Sequence, residues 1–365
     1  MFTPEVIPAG PVLLRPLADG DADAIVRACA DPLITRFIPS VPVPYTHEDV
    51  AAFIKSAADQ WRRGGATFAV ADPASGEWQG TIGLKPPDTR GCHSIGYLLA
   101  PWARGRGLAS AAARGVAEWA FRNGAQRIEL LADVENIASQ RVAGAAGFLR
   151  EGIRRGLEHR RDGDYHDMVA FARLAGDPGE PVRPYLPFPP GGELTDGVVR
   201  LVPITAQDAP DFYAMMNDPQ VLKYHVAPQP PPLAEITARC RMTGTWWLAG
   251  ERAELAIRDA ATGEFAGHIQ LMNVTPLLGQ AMLGYALLPA HRGRGFVTRA
   301  VGLLVSWAFE HTALSRIVAG TAPGNHASQA VLRRAGFTSE ALIRGLMPGP
   351  GGTRLDDLQW ARLRS

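Results

Sequence analysis

The sequence is poor in cysteine and has almost no net charge. Its three cysteines, Cys29, Cys92 and Cys240, are too few and too scattered for a disulfide framework or a zinc site. A formal net charge of +1 over 365 residues gives no overall field that would favour nucleic acid or anionic lipid. We therefore expect a protein of a reducing cytoplasm, with no metal, nucleic-acid or membrane partner.

Long apolar runs are missing as well. No stretch reaches the roughly 18 apolar residues of a membrane helix, and the residues after Met1 lack the basic start and apolar segment of a secretory signal. The composition, with 46% hydrophobic and 20% charged residues, is typical of a soluble protein with apolar surface for two domain cores.

A glycine-rich turn occurs twice. Residues 104–107 read Arg-Gly-Arg-Gly and so do residues 292–295, and each turn is followed about thirty residues later by Asn-x-x-Ser. Gly105 and Gly293 are 188 residues apart, and Asn136 and Asn325 are 189 apart. Similar segments continue upstream and downstream, which predicts two copies of one domain of roughly 170 residues.

The two copies are separated by a segment rich in proline and glycine. Proline removes a backbone donor and fixes φ, so this segment is expected to stay outside both sheets as a semi-rigid spacer. We predict an N-terminal domain over residues 1–176, a linker over residues 177–192 and a C-terminal domain over residues 193–365.

Within each copy, the pattern predicts a strand, helices, several strands, a helix, a strand, a short helix and a final pair of strands. After each turn, apolar residues recur at helical spacing and should pack on the sheet. In the first copy these are Leu108, Ala112, Val116, Trp119 and Ala120, and in the second Phe296, Ala300, Leu304, Trp307 and Ala308. Gly147-Phe148 and Gly336-Phe337 are typical of a left-handed helix cap with a packed aromatic residue.

The turn has a physical reason to bind phosphate. Where a strand gives way to a helix, several unpaired N–H groups converge and the helix dipole favours negative charge. Arg104, Arg106, Arg292 and Arg294 can add charge-assisted contacts. The alternative is a surface turn with solvated arginines, which two turns in matching contexts make less favourable.

Two other phosphate-binding loops do not fit. A dinucleotide loop would need an acid such as Glu129 after the next strand, but the second copy has Val318 there. A P-loop would need Gly-Lys-Ser/Thr after the turn, and neither copy has it.

The motifs resemble the GNAT superfamily of acetyl-coenzyme A dependent N-acetyltransferases, whose signature is Gln/Arg-x-x-Gly-x-Gly/Ala at the start of a helix. The Gly-Tyr strand, Arg15-Pro16-Leu17 and the Asn-x-x-Ser element are similar to the RimJ/RimL branch in particular. The first signature position differs, being Trp102 or Ala290. The resemblance implies an α/β fold of the α+β type, with two tandem GNAT-like domains that each have a central, mostly antiparallel sheet flanked by helices.

The resemblance also implies a site for acetyl-CoA as co-substrate in each copy. Main-chain N–H groups of the turn would hold the pyrophosphate, and the pantetheine arm would enter between two strands that splay apart. The residues carried over are Leu99, Arg104, Gly105, Arg106, Gly107, Ala109 and Asn136 in the first copy, and Leu287, Arg292, Gly293, Arg294, Gly295, Val297 and Asn325 in the second.

The catalytic residues are less directly indicated. Many family members have a tyrosine seven residues after the Asn, where this chain has Ala143 and Leu332; Ser139 and Ser328 are the remaining donors for the thiolate, with a helix N-cap as the alternative role. The usual Glu base is replaced by Ser94 and Met282. Candidate bases are Glu135, Asp133 and His93, and we assign catalysis to Ser139, Asn136 and Glu135.

The copies differ where an acceptor would bind. The first copy has an ionisable segment at residues 158–167, whereas the second has a Pro/Gly-rich one at residues 347–352. We expect the first copy to do most of the chemistry: N-acetylation of a primary amine on a small molecule or protein N-terminus by direct attack in a ternary complex. The alternative is a CoA or acyl-CoA sensor with one or both sites degenerate. The protein is expected to be a monomer with an intramolecular pseudo-dimer, or a homodimer.

Overall fold

The computed structural model describes residues 2–161, 163–225, 229 and 231–364. By internal contacts the chain divides into two compact units, Met1–Arg183 and Pro184–Ser365. Each unit contains one eight-stranded sheet within the described residues. The longest helices have 16 residues, and no described helix is long and apolar enough to cross a bilayer.

The first unit alternates helices and strands as the sequence predicts. Its strands are β1 Ile7–Ala9, β2 Val12–Pro16, β3 Ala66–Ala71, β4 Trp78–Leu84, β5 His93–Leu99, β6 Arg127–Asp133, β7 Leu149–His159 and β8 Tyr165–Leu174. Its helices are α1 Ala22–Cys29, α2 Pro32–Phe37, α3 His47–Arg62, α4 Leu108–Arg122 and α5 Ile137–Ala145. The strand order is β1-β2-β3-β4-β5-β6-β8-β7.

The second unit repeats this arrangement. Its strands are β9 Leu194–Thr195, β10 Val199–Pro203, β11 Ala253–Asp259, β12 Phe265–Thr275, β13 Gln280–Leu287, β14 Arg316–Thr321, β15 Thr338–Pro348 and β16 Arg354–Leu363. Its helices are α6 Ala209–Met216, α7 Pro219–Leu222, α8 Leu233–Leu248, α9 Phe296–His311 and α10 His326–Arg334. The sheet order, β15-β16-β14-β13-β12-β11-β10-β9, mirrors that of the first unit.

Each core lies between the sheet and the helix that follows the glycine turn. All ten residues of the two apolar stripes are buried, which confirms that α4 and α9 pack on their sheets. In the first unit, Trp119 of α4 meets Phe68 and Trp61 edge to face, with ring centroids 5.3 and 5.8 Å away. In the second, Trp307 of α9 packs on Trp247 at 5.9 Å. Such aromatic contacts favour edge-on geometry because a positive ring edge meets a negative face.

A glycine just inside β4 and β12 permits close strand approach. A Cβ on Gly80 would stand 2.5 Å from the Leu98 carbonyl oxygen, and one on Gly267 would stand 2.3 Å from that of Ala286. Any other residue would push β5 or β13 away at this point. This requirement explains why both copies keep the glycine.

The segment between the predicted domains packs against the units. Val182 donates its N–H to the Gly144 carbonyl in the first unit. In the second, Leu186 is fully buried and Phe188 stacks on Trp247 at 4.8 Å. A main-chain hydrogen bond therefore fastens the segment to the first unit, and the apolar side chains of Leu186 and Phe188 fasten it to the second. The boundaries at 176 and 193 stay a prediction.

Candidate functional site

Two neighbouring strands in each sheet run parallel and then separate. β5 pairs with β6 at only three positions, ending at Ile95 and Leu130, although β5 continues to Leu99. β13 and β14 likewise pair at three positions, ending at Met282 and Val318. Beyond these points one edge of β5 and of β13 pairs with no strand of the described residues, so each sheet opens into a gap lined by main-chain groups.

The glycine turn begins a helix without a side-chain cap. Gly107 is the N-cap of α4 with φ 75° and Gly295 the N-cap of α9 with φ 80°, and neither helix has a side-chain cap hydrogen bond. A Cβ on either glycine would meet nothing within 4 Å, so the turn faces open space. The first-turn N–H groups and the helix dipole therefore point into this open space, which is the arrangement that an anion site requires.

Three of the four turn arginines are held by aspartates. Arg104 pairs with Asp31 at the start of α2, and Arg292 pairs with Asp218 at the start of α7. The Nη2 of Arg294 lies 2.9 Å from Asp259. These guanidinium groups therefore fasten the turn to neighbouring elements, which leaves the first-turn N–H groups of each helix, and the Arg106 side chain in the first unit, as donors for a ligand.

A tyrosine and a serine meet beside each gap. The hydroxyl oxygens of Tyr97 and Ser139 are 2.8 Å apart, and those of Tyr285 and Ser328 are 2.7 Å apart. Asn136 is the N-cap of α5 and accepts a hydrogen bond from the Ser139 amide at 3.1 Å. The alternative role of the serines as N-caps is therefore wrong, because the asparagine takes it.

Neither tyrosine is among the site residues that the sequence predicts. Gly-Tyr recurs at residues 96–97 and 284–285, and this recurrence is the signal that could have found them. Burial raises the pKa of Tyr97 above its ordinary value and raises that of Tyr285 to about 12. Both phenols therefore stay protonated at neutral pH and can donate a hydrogen bond.

An ion-pair cluster lies at the end of β6. Asp133 is buried, pairs with Arg160 and lies 3.1 Å from Nδ1 of His166. Glu135 follows it and lies 3.4 Å from Arg36. Ligand atoms of Asp133, Glu135 and His166 lie within 4.8 Å of one another, but the two arginines already balance the carboxylates, which disfavours a cation there.

Other sequence candidates lie elsewhere or have structural partners. His93 is buried at the start of β5, roughly 20 Å along the strand from Leu99, and its Nδ1 lies 3.0 Å from the Lys85 carbonyl. Asp167 of the ionisable segment accepts the Gly156 amide at 2.8 Å. Asp162 lies outside the described residues.

The second unit contains a cavity of about 1480 Å³ at its glycine turn. It is lined by predicted cofactor and thiolate-donor residues, namely Leu287, Arg292, Gly293, Gly295, Val297, Asn325 and Ser328, together with Tyr285. Another part of the lining lies on or beside α6 and α8, and we call it the α6–α8 side. It includes Phe212, Met216, Lys223, Arg239, Arg252, His268 and Gln270. The cofactor-binding residues predicted from sequence and the polar residues of the α6–α8 side therefore line the same cavity.

A buried carboxylate supports the α6–α8 side. Glu254 is fully buried and binds His268 Nε2 at 3.1 Å, Arg239 at 3.0 Å and Arg252 at 3.2 Å. Burial alone would raise the pKa of Glu254, but the His268 hydrogen bond and the Arg239 charge hold it at about 2. The contrast between an ionisable segment in the first copy and a Pro/Gly-rich one in the second missed this cluster, whose signal was two ionisable residues inside apolar strands.

Comparison with known proteins identifies the family. The family model for the acetyltransferase (GNAT) domain matches residues 12–149 and again residues 199–338. These matches cover more than half of the chain, which therefore belongs to the GNAT acetyltransferase family and carries its domain twice. The predicted family and fold class, a mixed sheet flanked by helices in two tandem domains, are confirmed.

Individual relatives match single stretches of the chain. Probable N-acetyltransferase YjcK of Bacillus subtilis (strain 168) is 38% identical over 95 residues, which are 26% of this chain and 52% of that protein. Uncharacterized N-acetyltransferase YoaA of the same strain is 26% identical over 144 residues, 40% of this chain and 81% of that protein. The match thus spans about half the length of YjcK. Mycobacterium smegmatis RimJ, solved in complex with CoA-disulfide, is 26% identical with a TM-score of 0.43 and covers 47% of this chain and 86% of that one.

Proposed function

We propose that this protein is an acetyl-CoA-dependent N-acetyltransferase that acts on a primary amine of a small molecule or a protein N-terminus. The observation that carries the proposal is the junction in both units: an uncapped helix N-terminus, a strand pair that opens, and a Tyr–Ser pair beside the opening. The open space at the glycine turn fits a diphosphate, and the separated strands fit an extended pantetheine arm.

Binding is assigned mainly to main-chain groups. In the first unit, the N–H groups of Arg106, Gly107 and Ala109 hold the diphosphate, with Gly105 shaping the turn and Leu99 and Asn136 beside the arm; the Arg104 N–H, also expected to do so, donates to the Pro101 carbonyl at 3.5 Å instead. In the second unit, Arg294, Gly295 and Val297 do the same, with Gly293, Leu287 and Asn325 in the matching roles, and the Arg292 N–H donates to the Pro289 carbonyl at 3.2 Å. Backbone donors suit this task because they are already oriented by the helix.

Acetyl-CoA supplies the acetyl group as a thioester: the amine nitrogen forms the N–C bond, the C–S bond breaks, the amine loses a proton and the sulfur gains one. The Tyr97–Ser139 pair can donate that hydrogen to sulfur, and Asn136 positions Ser139 by capping its helix. The Glu135 carboxylate, beside Arg36 and partly open to solvent, accepts the proton of the amine. The Tyr285–Ser328 pair has the matching role in the second unit.

The test is release of free thiol from acetyl-CoA over a panel of primary amines, covering small molecules and peptide N-termini. Reactions without amine measure simple hydrolysis. Amine-dependent thiol release with a matching acetylated product supports the proposal. Binding of CoA without turnover of any amine contradicts it and favours the sensor, a role that the loss of the usual base at Ser94 and Met282 would suit.

A further inference from the structure

The cavity of the second unit is lined by basic side chains and by no acidic side chain of the described residues. Its lining includes Lys223, Arg239 and Arg252 on the α6–α8 side, and no Asp or Glu of the described residues lines it. Lys223 has a cation–π contact with Tyr224 at 5.2 Å. An amine-binding chamber without carboxylates is unsuited to a polycation, because like charges in a partly closed space repel.

The cluster around Glu254 has an excess of positive charge. Glu254 is shared between Arg239 and Arg252, so one negative charge faces two guanidinium groups. His268 adds no charge at neutral pH, because burial lowers its pKa below the ordinary value. The cluster therefore keeps one uncompensated positive charge beside the cavity.

Arg239 and Arg252 are held in place by part of their guanidinium groups, and the other N–H groups remain as donors for a ligand. Arg239 lies over the Phe212 ring at 5.1 Å and Arg252 over the Trp246 ring at 4.8 Å, which fixes both planes. Arg239 binds Glu254 through Nε and Nη2, and Arg252 binds it through Nη1. Their side chains are 25% and 35% exposed. Within the described residues, Nη1 of Arg239 and Nη2 of Arg252 make no hydrogen bond to protein, so these N–H groups can bind an anion.

The first unit has no counterpart of the Glu254–His268 pair at the matching positions. Thr67 and Thr81 stand 187 residues before Glu254 and His268, in strands of the same register. The charged cluster is therefore a property of the second unit, whereas the glycine turn is common to both. Residues that differ between two copies of one scaffold are those expected to set different substrates.

We propose that the second unit acetylates amines that also carry a carboxylate or phosphate group, and that Arg239 and Arg252 bind this anion. The inference rests on the proposed N-acetyltransferase function and names its substrate class. Anchoring the anion orients the amine, and the surrounding positive charge favours the neutral amine that attacks over its ammonium form.

The experiment compares matched amines with full-length protein in the Gly107→Val background, which blocks the first unit's turn. The pairs are an amino acid with its α-amide and phosphoethanolamine with ethanolamine, so that carboxylate and phosphate are separated; spermidine serves as the polycation. We expect kcat/KM to be at least about tenfold higher for one or both anionic members than for their neutral partners, and lowest for spermidine.

Arg239→Gln should lower kcat/KM for the anionic amine roughly 10- to 100-fold and leave the neutral amine within about twofold. Arg241→Gln, on the same helix but outside the cavity lining, is the matched control and should change neither. If Arg239→Gln does not fold, as judged by thermal unfolding, Arg252→Gln gives the same comparison at a more exposed side chain.

The two proposals fail in different ways. Equal use of anionic and neutral amines, a preference for spermidine, or turnover that disappears in the Gly107→Val background overturns the anion inference and leaves N-acetylation standing. An absence of turnover for every amine in the wild-type protein overturns the proposed function itself.

Discussion

At the scale of single residues, the Tyr–Ser pairs carry most of the proposed chemistry. Ser139 could be found from sequence because it follows Asn136 at a fixed spacing within one helix start. Tyr97 could not be paired with it in the same way, since the two lie 42 positions apart and meet only because α5 packs beside β5. A contact between elements depends on tertiary packing, which local periodicity does not report.

Removing both phenol hydroxyls tests the pair. In the double variant Tyr97→Phe/Tyr285→Phe we expect kcat to fall roughly 10- to 100-fold with CoA affinity unchanged, because the thiolate loses an oriented donor while the turn is untouched. Tyr185→Phe, at a phenol in the segment between the two predicted domains, is the control. Unchanged kcat in the double variant would mean that the tyrosines only pack against the serines.

Glu254 inside an apolar strand was a signal in the sequence, but its burial could not be predicted, since a glutamate between Ala253 and Leu255 could equally face solvent on an edge strand. Its depressed pKa makes a stability prediction. Because the folded-state pKa of about 2 lies below the ordinary glutamate pKa of 4.5, the folded form favours the carboxylate, and this stabilisation is present above pH 4.5. It should be lost as pH falls from about 4.5 towards 2.

We expect Glu254→Gln to reduce the free energy of unfolding at pH 7 by on the order of 3 kcal/mol. The variant should also flatten the acid dependence between about pH 4.5 and 2, as measured by urea unfolding at several pH values. Glu235→Gln, at an exposed glutamate of α8, is the control and should leave the curve unchanged. A wild-type-like acid transition in Glu254→Gln would show that other groups govern it.

At the scale of elements, the start of α4 and α9 was predictable and the opening of the sheet was not. Gly107 and Gly295 mark the change from strand to helix, and the apolar stripes fix the helix face, all within one short window. Where β5 leaves β6 depends on a partner strand whose pairing ends at Leu130. The expectation that these two strands separate came from the family resemblance, because no pattern in the strands themselves indicates it.

Valine at each turn glycine tests which cradle serves catalysis. Gly107→Val and Gly295→Val should each weaken CoA binding in their own unit, because a branched side chain disfavours positive φ and projects into the open anion position. The backbone strain should cost about 1–3 kcal/mol. Gly91→Val and Gly263→Val, at positive-φ turns with equally open surroundings, separate strain from lost binding.

The first-copy assignment predicts that Gly107→Val abolishes most thiol release and that Gly295→Val spares it, at saturating amine. The reverse result would move the main chemistry to the second unit. Turnover with amines that carry an anion is the part that we expect to survive in Gly107→Val.

At the scale of the whole molecule, duplication preserved the cradle and changed what surrounds it. The repeat of about 188 residues predicted two units, because two identical turns can be recognised in a sequence however far apart they lie. The acceptor surroundings could not be predicted, because the ionisable cluster lies at the end of β6 in the first unit but at the start of β11 and in the first half of β12 in the second. An alignment of the two copies therefore identifies the shared turn, but it identifies neither the Asp133 cluster nor the Glu254 cluster, because these lie at different positions.

Two intact cradles in one chain predict two bound cofactors. Isothermal titration of CoA, checked by native mass spectrometry, should give a stoichiometry of two per chain for the wild type and one for either valine variant. The units need not have equal affinity, because Arg294 in the second turn is held by Asp259 and so contributes less free charge to the diphosphate than a solvated guanidinium would. A single CoA in the wild type, lost with one valine substitution and kept with the other, would show that one turn has kept its shape without its ligand.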